Sequence, residues 1–137
     1  MLEGYRFWRE QRVAFRDFDY FRHVNNAAYI TWTETLRIEF MDEVVGSPPE
    51  ARIGIIMAAQ RFDYVSQVAY RDRVSVGCRV GRIGTKSFDL EYEIANTTTG
   101  KVACRGVSTL VTYDYELSRS LAVPDAWRAI FAGYQAP

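Results

Sequence analysis

Acid–base or nucleophilic chemistry near neutral pH needs a histidine, an activated cysteine or a well-placed carboxylate, and this chain of 137 residues has one histidine, His23. Any Ser-His-Asp or Cys-His set would have to run through it. The two cysteines, Cys78 and Cys104, are far apart and match no metal or redox spacing, so they read as small, reduced core residues. With one histidine and no clustered cysteines, no catalytic metal is expected. Gly81-Arg82-Ile83-Gly84 lies between two strands and opens no helix, so it is not a phosphate loop. What stands out is Asp17-Phe18-Asp19-Tyr20-Phe21-Arg22-His23-Val24-Asn25-Asn26, where two carboxylates, one imidazole and two amides fall within ten residues.

The run sits just before a helix, and this position gives it two readings. The first amides of a helix are unpaired and carry partial positive charge, which can hold an oxyanion. A carboxylate beside them, in a pocket partly lined by Phe and Tyr, can act as base or nucleophile. The alternative is a plain turn, in which Asp17 and Asn25 cap backbone amides and His23 satisfies a local carbonyl.

The elements that must position this run follow from periodicity. Gln11 to Arg16 alternates Val13 and Phe15 with polar neighbours and predicts a strand. From Ala27 to about Val45, Tyr29, Trp32, Leu36 and Phe40 recur at helical spacing, with Asn25 and Asn26 where an N-cap belongs and Gly46-Ser47-Pro48-Pro49 as the stop. Ile30, Ile38 and Met41 spread beyond that stripe, which predicts a helix wrapped on several sides. Glu34 and Arg37, one turn apart, predict an exposed or interface ion pair.

The period then becomes two. Ile53 to Tyr64, Val74 to Val80, Phe88 to Ile94 and Val102 to Tyr113 read as strands, with turn chemistry at Asn96 to Gly100. Short connections predict an antiparallel meander. Pro124, Asp125, Trp127, Ile130 and Phe131 predict a short closing helix with Pro124 at its first position. The order of strand, long helix and four strands is an α+β domain over residues 1–137, one helix held by an antiparallel sheet.

Composition narrows the partners. Seventeen basic residues balance seventeen acidic ones, and no stretch concentrates them, which argues against nucleic acid or an anionic membrane. Only Lys86 and Lys101 are lysines. The first residues lack the apolar run of a signal peptide and no segment reaches a membrane span, so a cytoplasmic protein is expected.

The stretch from Val13 through Asp19 and His23-Val24-Asn25-Asn26-Ala27-Ala28-Tyr29 to Glu34 and Arg37 resembles the signature of hotdog-fold acyl-CoA thioesterases of the 4-hydroxybenzoyl-CoA thioesterase-like family. Phe62-Asp63-Tyr64, Asp72-Arg73-Val74, Arg82 to Phe88 and Glu91 to Ile94 look like that family's later strands in order. The resemblance implies a hotdog fold, a long central helix wrapped by a five-stranded antiparallel sheet, and hydrolysis of an acyl or aroyl thioester to free acid and coenzyme A.

It implies Asp19 as the catalytic nucleophile or general base, His23 as a supporting polar group, and the amide near Asn26 as the group polarising the carbonyl. It further suggests Phe62 and Tyr64 for the acyl pocket, and Lys86 with Arg82 against the coenzyme A phosphates. Coenzyme A is then part of the substrate, and no separate cofactor is implied. Many relatives carry glycine three residues after the catalytic Asp, where this chain has Arg22, a bulky cation expected at the pocket mouth.

A hydratase or dehydratase on acyl thioesters is a second reading, though its helix motif is missing here; a non-catalytic acyl-thioester binding module is a third. One helix cannot cover five strands, and relatives pair sheets edge to edge, so a homodimer or homotetramer is expected.

Overall fold

A computed structural model describes residues 1–48 and 50–137; Pro49, part of the predicted helix stop, lies outside the described residues. The elements are β1 (Phe7–Gln11), α1 (Asn26–Phe40), β2 (Ile53–Tyr64), β3 (Val74–Ile83), β4 (Ser87–Asn96), β5 (Lys101–Asp114), β6 (Arg119–Ser120) and α2 (Asp125–Ala132). One antiparallel sheet runs in the order β1-β3-β4-β5-β2, with the two-residue β6 added against β5. The α+β hotdog architecture expected from the sequence is present. The meander holds for β3-β4-β5, but β2 joins the far side of β5 instead of pairing with β3.

The first strand is displaced from its predicted place. It occupies Phe7–Gln11, and the Val13/Phe15 alternation belongs to a loop ending in a single 3₁₀ turn over Phe15–Asp17. The cause is Asp17, whose carboxylate accepts the Ala14 N–H at 2.7 Å while its own amide donates to the Ala14 carbonyl at 2.9 Å. That closure stops the pairing with β3 at Gln11–Val74.

Tyr29, Trp32, Leu36 and Phe40 form the buried stripe of α1, as their spacing requires. Its last turn widens into a π turn over Met41–Val45 and ends at Gly46 in the left-handed region, φ 76°. The sheet curls around the helix, as expected, and leaves its outermost face uncovered. It lies over β1, β3 and β4, and Ile38 on its far face is exposed. Arg37 also departs from expectation: it is buried and donates to the Tyr92 hydroxyl at 3.3 Å, while exposed Glu34 reaches it only at 3.9 Å. α2 closes the other end of the core by packing Trp127 and Phe131 against Phe88, with Pro124 as its cap and not its first residue.

Two interior features bear on function. Cys78 and Cys104 are free and buried, and burial pushes the Cys104 thiol up to about 12 and Cys78 higher still. In β2, Ala58 is an extra residue between the Met57–Leu110 and Ala59–Thr109 pairs, a bulge that puts Phe62 and Tyr64 on the helix-facing side. Phe62 then lies flat across Gly106 and stacks on Tyr92, centroids 6.3 Å apart and planes 12° apart.

A Cβ at position 106 would stand 2.5 Å from the Phe62 ring. Gly106→Ala is therefore expected to lower stability by about 1–3 kcal/mol, the scale of overpacking a filled site. Urea denaturation would check it, and an unchanged midpoint would mean that Phe62 is free to move aside.

Candidate active site

Residues 18–24 fold into a small hairpin that aims Asp19 at the start of α1. Phe18 bridges Val24, the Asp19 amide donates to the His23 carbonyl at 2.9 Å, and the Arg22 amide donates to the Asp19 carbonyl at 3.1 Å. The Asp19 Oδ1 accepts the Phe21 N–H at 2.9 Å, an Asx turn that holds the carboxylate while its other oxygen stays uncommitted. Arg22 sits at the left-handed position of this turn, φ 64°. Glycine would meet this backbone requirement without strain, and the Arg22 side chain is at the hairpin tip, not in the wall of the cleft.

The hairpin is tied to the β2–β3 connection by the Val24 amide on the Val68 carbonyl at 3.1 Å and by a His23–Ala69 bridge. Between them opens a cleft of about 390 Å³ lined by Asp19, His23, Asn26, Tyr29, Tyr64 and the segment 65–67. Asn25 is the N-cap of α1, its Oδ1 accepting the Ala28 amide at 3.0 Å. The amides of Asn26 and Ala27 have no acceptor among the described residues. The Tyr64 hydroxyl donates to the Asn26 carbonyl at 3.3 Å, and its ring lies 5.6 Å from that of Tyr29. Burial pushes the Tyr29 phenol up to about 12 and raises that of Tyr64, so both stay protonated. Cys104 beside them also keeps its proton.

Of the residues singled out from the sequence, the fold gathers Asp19, His23, Asn26 and Tyr64 around this one cleft. Asp17 takes the capping role, through Ala14 and through its carbonyl, which accepts the Asn25 amide at 2.8 Å. Phe62 is packed on Tyr92 and does not line the cleft.

Arg82 and Lys86 are on the β3–β4 side of the sheet, where Arg82 pairs with Asp89 at 3.3 Å and Lys86 is exposed. Tyr64 pairs with Cys104 and Ser87 with Val111, so within one chain these cations stand about 24 Å away along β5 at ~3.4 Å per residue. Tyr29 and the 65–67 segment were missed as site residues. Tyr29 is indistinguishable from the core stripe in sequence, and 65–67 are placed at the cleft by long-range bonds, of Val65 and Ser66 to the Ala103 carbonyl and of the neighbouring Val68 carbonyl to the Val24 amide.

A second hollow of about 480 Å³ lies on the outer face of the sheet, between the Arg79–Glu91 and Arg105–Glu93 pairs. Its charges already neutralise one another, whereas the Asp19 cleft combines an uncommitted carboxylate oxygen with unpaired amides. That combination suits attack on a carbonyl whose oxygen gains negative charge. Among the described residues no group of three His, Cys, Asp or Glu side chains is placed to share a metal ion.

Comparison with known proteins gives the family and the class of reaction. Residues 13–131 match the model of the thioesterase-like superfamily. An uncharacterized protein of Bacillus subtilis, YsmA, is 22% identical over 89% of this chain and 82% of its own. A thioesterase of Thermus thermophilus, solved with coenzyme A and zinc, superposes with a TM-score of 0.84 at 27% identity, covering 97% of each chain. A Bacillus stearothermophilus protein described as a predicted thioesterase gives 0.85 at 25% identity over 96% of this chain and 98% of its own. The chain belongs to the thioesterase-like superfamily, and its chemistry is the hydrolysis of thioesters.

Proposed function

We propose that the chain hydrolyses an acyl or aroyl thioester of coenzyme A to the free acid and coenzyme A, with Asp19 as the catalytic carboxylate. The observation that carries this reading is one cleft holding both the Asp19 carboxylate and the unpaired first-turn amides of α1. The thioester oxygen lies at the Asn26 amide, where the helix N-terminus stabilises the charge of the tetrahedral intermediate.

Asp19 either takes a proton from the attacking water or attacks the carbonyl itself to give an anhydride that water then opens. In both cases the C–S bond breaks, and the leaving thiolate takes a proton from the carboxylic acid or from water. His23 orients Asp19 or the substrate, and Tyr64 forms the wall nearest the acyl group. Coenzyme A is substrate throughout, and no cofactor enters the scheme.

The same reading calls for a second copy. β2 is a twelve-residue edge strand with its outer side unpaired, exposing Ile56, Ala58 and Ala59. Such an edge invites pairing with another chain. Antiparallel pairing of two β2 strands about the Ala58 bulge brings the far end of the partner's sheet toward the Asp19 cleft. That is how Lys86 and Arg82, distant within one chain, come to meet coenzyme A phosphates. A location in the cytoplasm fits this substrate.

Three outcomes are expected. Asp19→Asn keeps the shape and removes both roles, so kcat should fall by at least ~10²-fold with little change in substrate binding, while His23→Ala costs less. Steady-state kinetics on the best acyl-CoA would check this, and an Asp19→Asn enzyme retaining more than about a tenth of wild-type turnover would refute the role of Asp19. Lys86→Ala should raise KM for acyl-CoA several-fold at nearly constant kcat and leave a pantetheine thioester untouched; equal effects on both would remove Lys86 from the phosphate site. Sedimentation should give at least twice the 15.8 kDa chain mass at micromolar concentration, and a monomer there would overturn the paired edge.

A further inference from the structure

A carbonyl oxygen that takes on negative charge is held best by donors fixed in place before the charge forms. The start of α1 supplies such donors from one wall of the cleft only, through the Asn26 and Ala27 amides. The side chains around the cleft differ in what they have left to give. Tyr64 is spent on the Asn26 carbonyl, Ser66 donates its hydroxyl to the Val102 carbonyl at 2.7 Å, and the Tyr29 hydroxyl is bonded to the Val68 backbone. Among the described residues, the polar side chains of the cleft that make no hydrogen bond are those of His23, Asn26 and Gln67.

Gln67 stands on the wall that faces the helix start, and its backbone is fixed from several directions. The Val65 and Ser66 amides donate to the Ala103 carbonyl at 2.8 and 3.1 Å, and the Val68 carbonyl accepts the Val24 amide at 3.1 Å. The Gln67 carbonyl accepts Asn96 Nδ2 at 3.5 Å. Side chains alternate along extended chain, and Val24 and Val68 are buried. His23, which bridges Ala69, and Gln67 therefore share the opposite face, the one that lines the cleft. Two residues on from that antiparallel bridge, Gln67 comes opposite Asn25, the cap that precedes the open amides. The residue is exposed and its carboxamide is free, so the fold does not depend on it.

We infer that Gln67 is a second oxyanion donor, its Nε2–H meeting the thioester oxygen from the wall opposite the Asn26 amide. The inference rests on the thioester hydrolysis read above. As water or Asp19 adds to the carbonyl carbon, the C=O electron pair moves onto oxygen and is shared between the two N–H groups. When the C–S bond breaks, that pair returns to the carbonyl and the sulfur leaves with the bonding electrons. Gln67 gains and loses no proton at any stage. A carboxamide suits this place better than a cation would. An ammonium or guanidinium facing Asp19 would pair with it and lower its basicity, whereas a neutral amide donates at every working pH and leaves the carboxylate free.

The test is Gln67→Met, which keeps the length of the side chain and removes both polar atoms, with Gln67→Ala as a second variant. Loss of one oxyanion donor is expected to lower kcat on acyl-CoA at least tenfold in both variants, with KM changed less than about twofold and the urea midpoint unmoved. Two non-hydrolysable ligands separate the charged state from ordinary binding. A trifluoromethyl ketone analogue of the acyl-CoA, which takes up a tetrahedral oxyanion, should bind Gln67→Met at least tenfold more weakly. An S-alkyl coenzyme A thioether, which has no carbonyl, should bind both forms alike.

A Gln67→Met enzyme that keeps more than about half of the wild-type kcat would overturn the inference. Equal losses on ketone and thioether would do so too, making Gln67 a contact of the bound ground state, and a lowered urea midpoint in both variants would make it a structural residue. A wild type that cleaves no acyl-CoA at all removes the hydrolysis reading and this inference with it, a failure seen before any variant is compared.

Discussion

The start of α1 is held by a single side chain. Asn25 donates both its backbone amide and its Nδ2 to the Asp17 carbonyl, at 2.8 and 3.2 Å, and takes the Ala28 amide on its Oδ1. The first bonds fasten the helix to the 3₁₀ turn of Asp17, and the last consumes the third helical amide while leaving the two before it open. Asp17 and Asp19 thereby divide the labour of two neighbouring carboxylates. One is used up in backbone closure, and the other keeps an oxygen for the cleft. Moving the helix start by one residue would misplace the open amides relative to the hairpin that carries Asp19.

The helix lies over β1, β3 and β4, and this choice shapes everything at the other side of the sheet. The inner faces of β5 and β2 are left to Phe62, Tyr64 and the buried Arg37–Tyr92 contact. Burying a guanidinium is costly unless its donors are used. Here the Tyr92 hydroxyl and the distant Glu34 carboxylate are its side-chain partners, at 3.3 and 3.9 Å. The same arrangement keeps Ile38 and the β2 edge apolar and open, so the Asp19 cleft and the free sheet edge are consequences of one packing decision.

Much of this was legible in the sequence. The bounds of β2 match the apolar run from Ile53 to Tyr64, and β4 shows its clean alternation because Phe88, Leu90, Tyr92 and Ile94 all face the core. The cleft residues Asp19, His23 and Asn26 are adjacent in sequence, so local reading and family resemblance could both reach them. The misses have long-range or side-chain causes. Val13 and Phe15 alternate as a strand would, but one carboxylate-to-amide bond from Asp17 outweighs that weak propensity. Phe62 looks like a pocket residue because it neighbours Tyr64. Only the glycine opposite it on β5 reveals that its ring lies down into the core. Arg37 reads as a surface ion pair because nothing local announces the Tyr92 hydroxyl, fifty-five residues on.

The two buried thiols have a consequence for measurement. Cys78 and Cys104 have no solvent exposure, and burial holds both in the protonated, unreactive form. Thioester cleavage releases a free thiol, so a reagent that colours thiolates sees the product against a silent protein. When the chain unfolds, two further equivalents per chain become visible. One cuvette can thus report turnover while the fold is intact and announce its loss, with no label added and no residue changed.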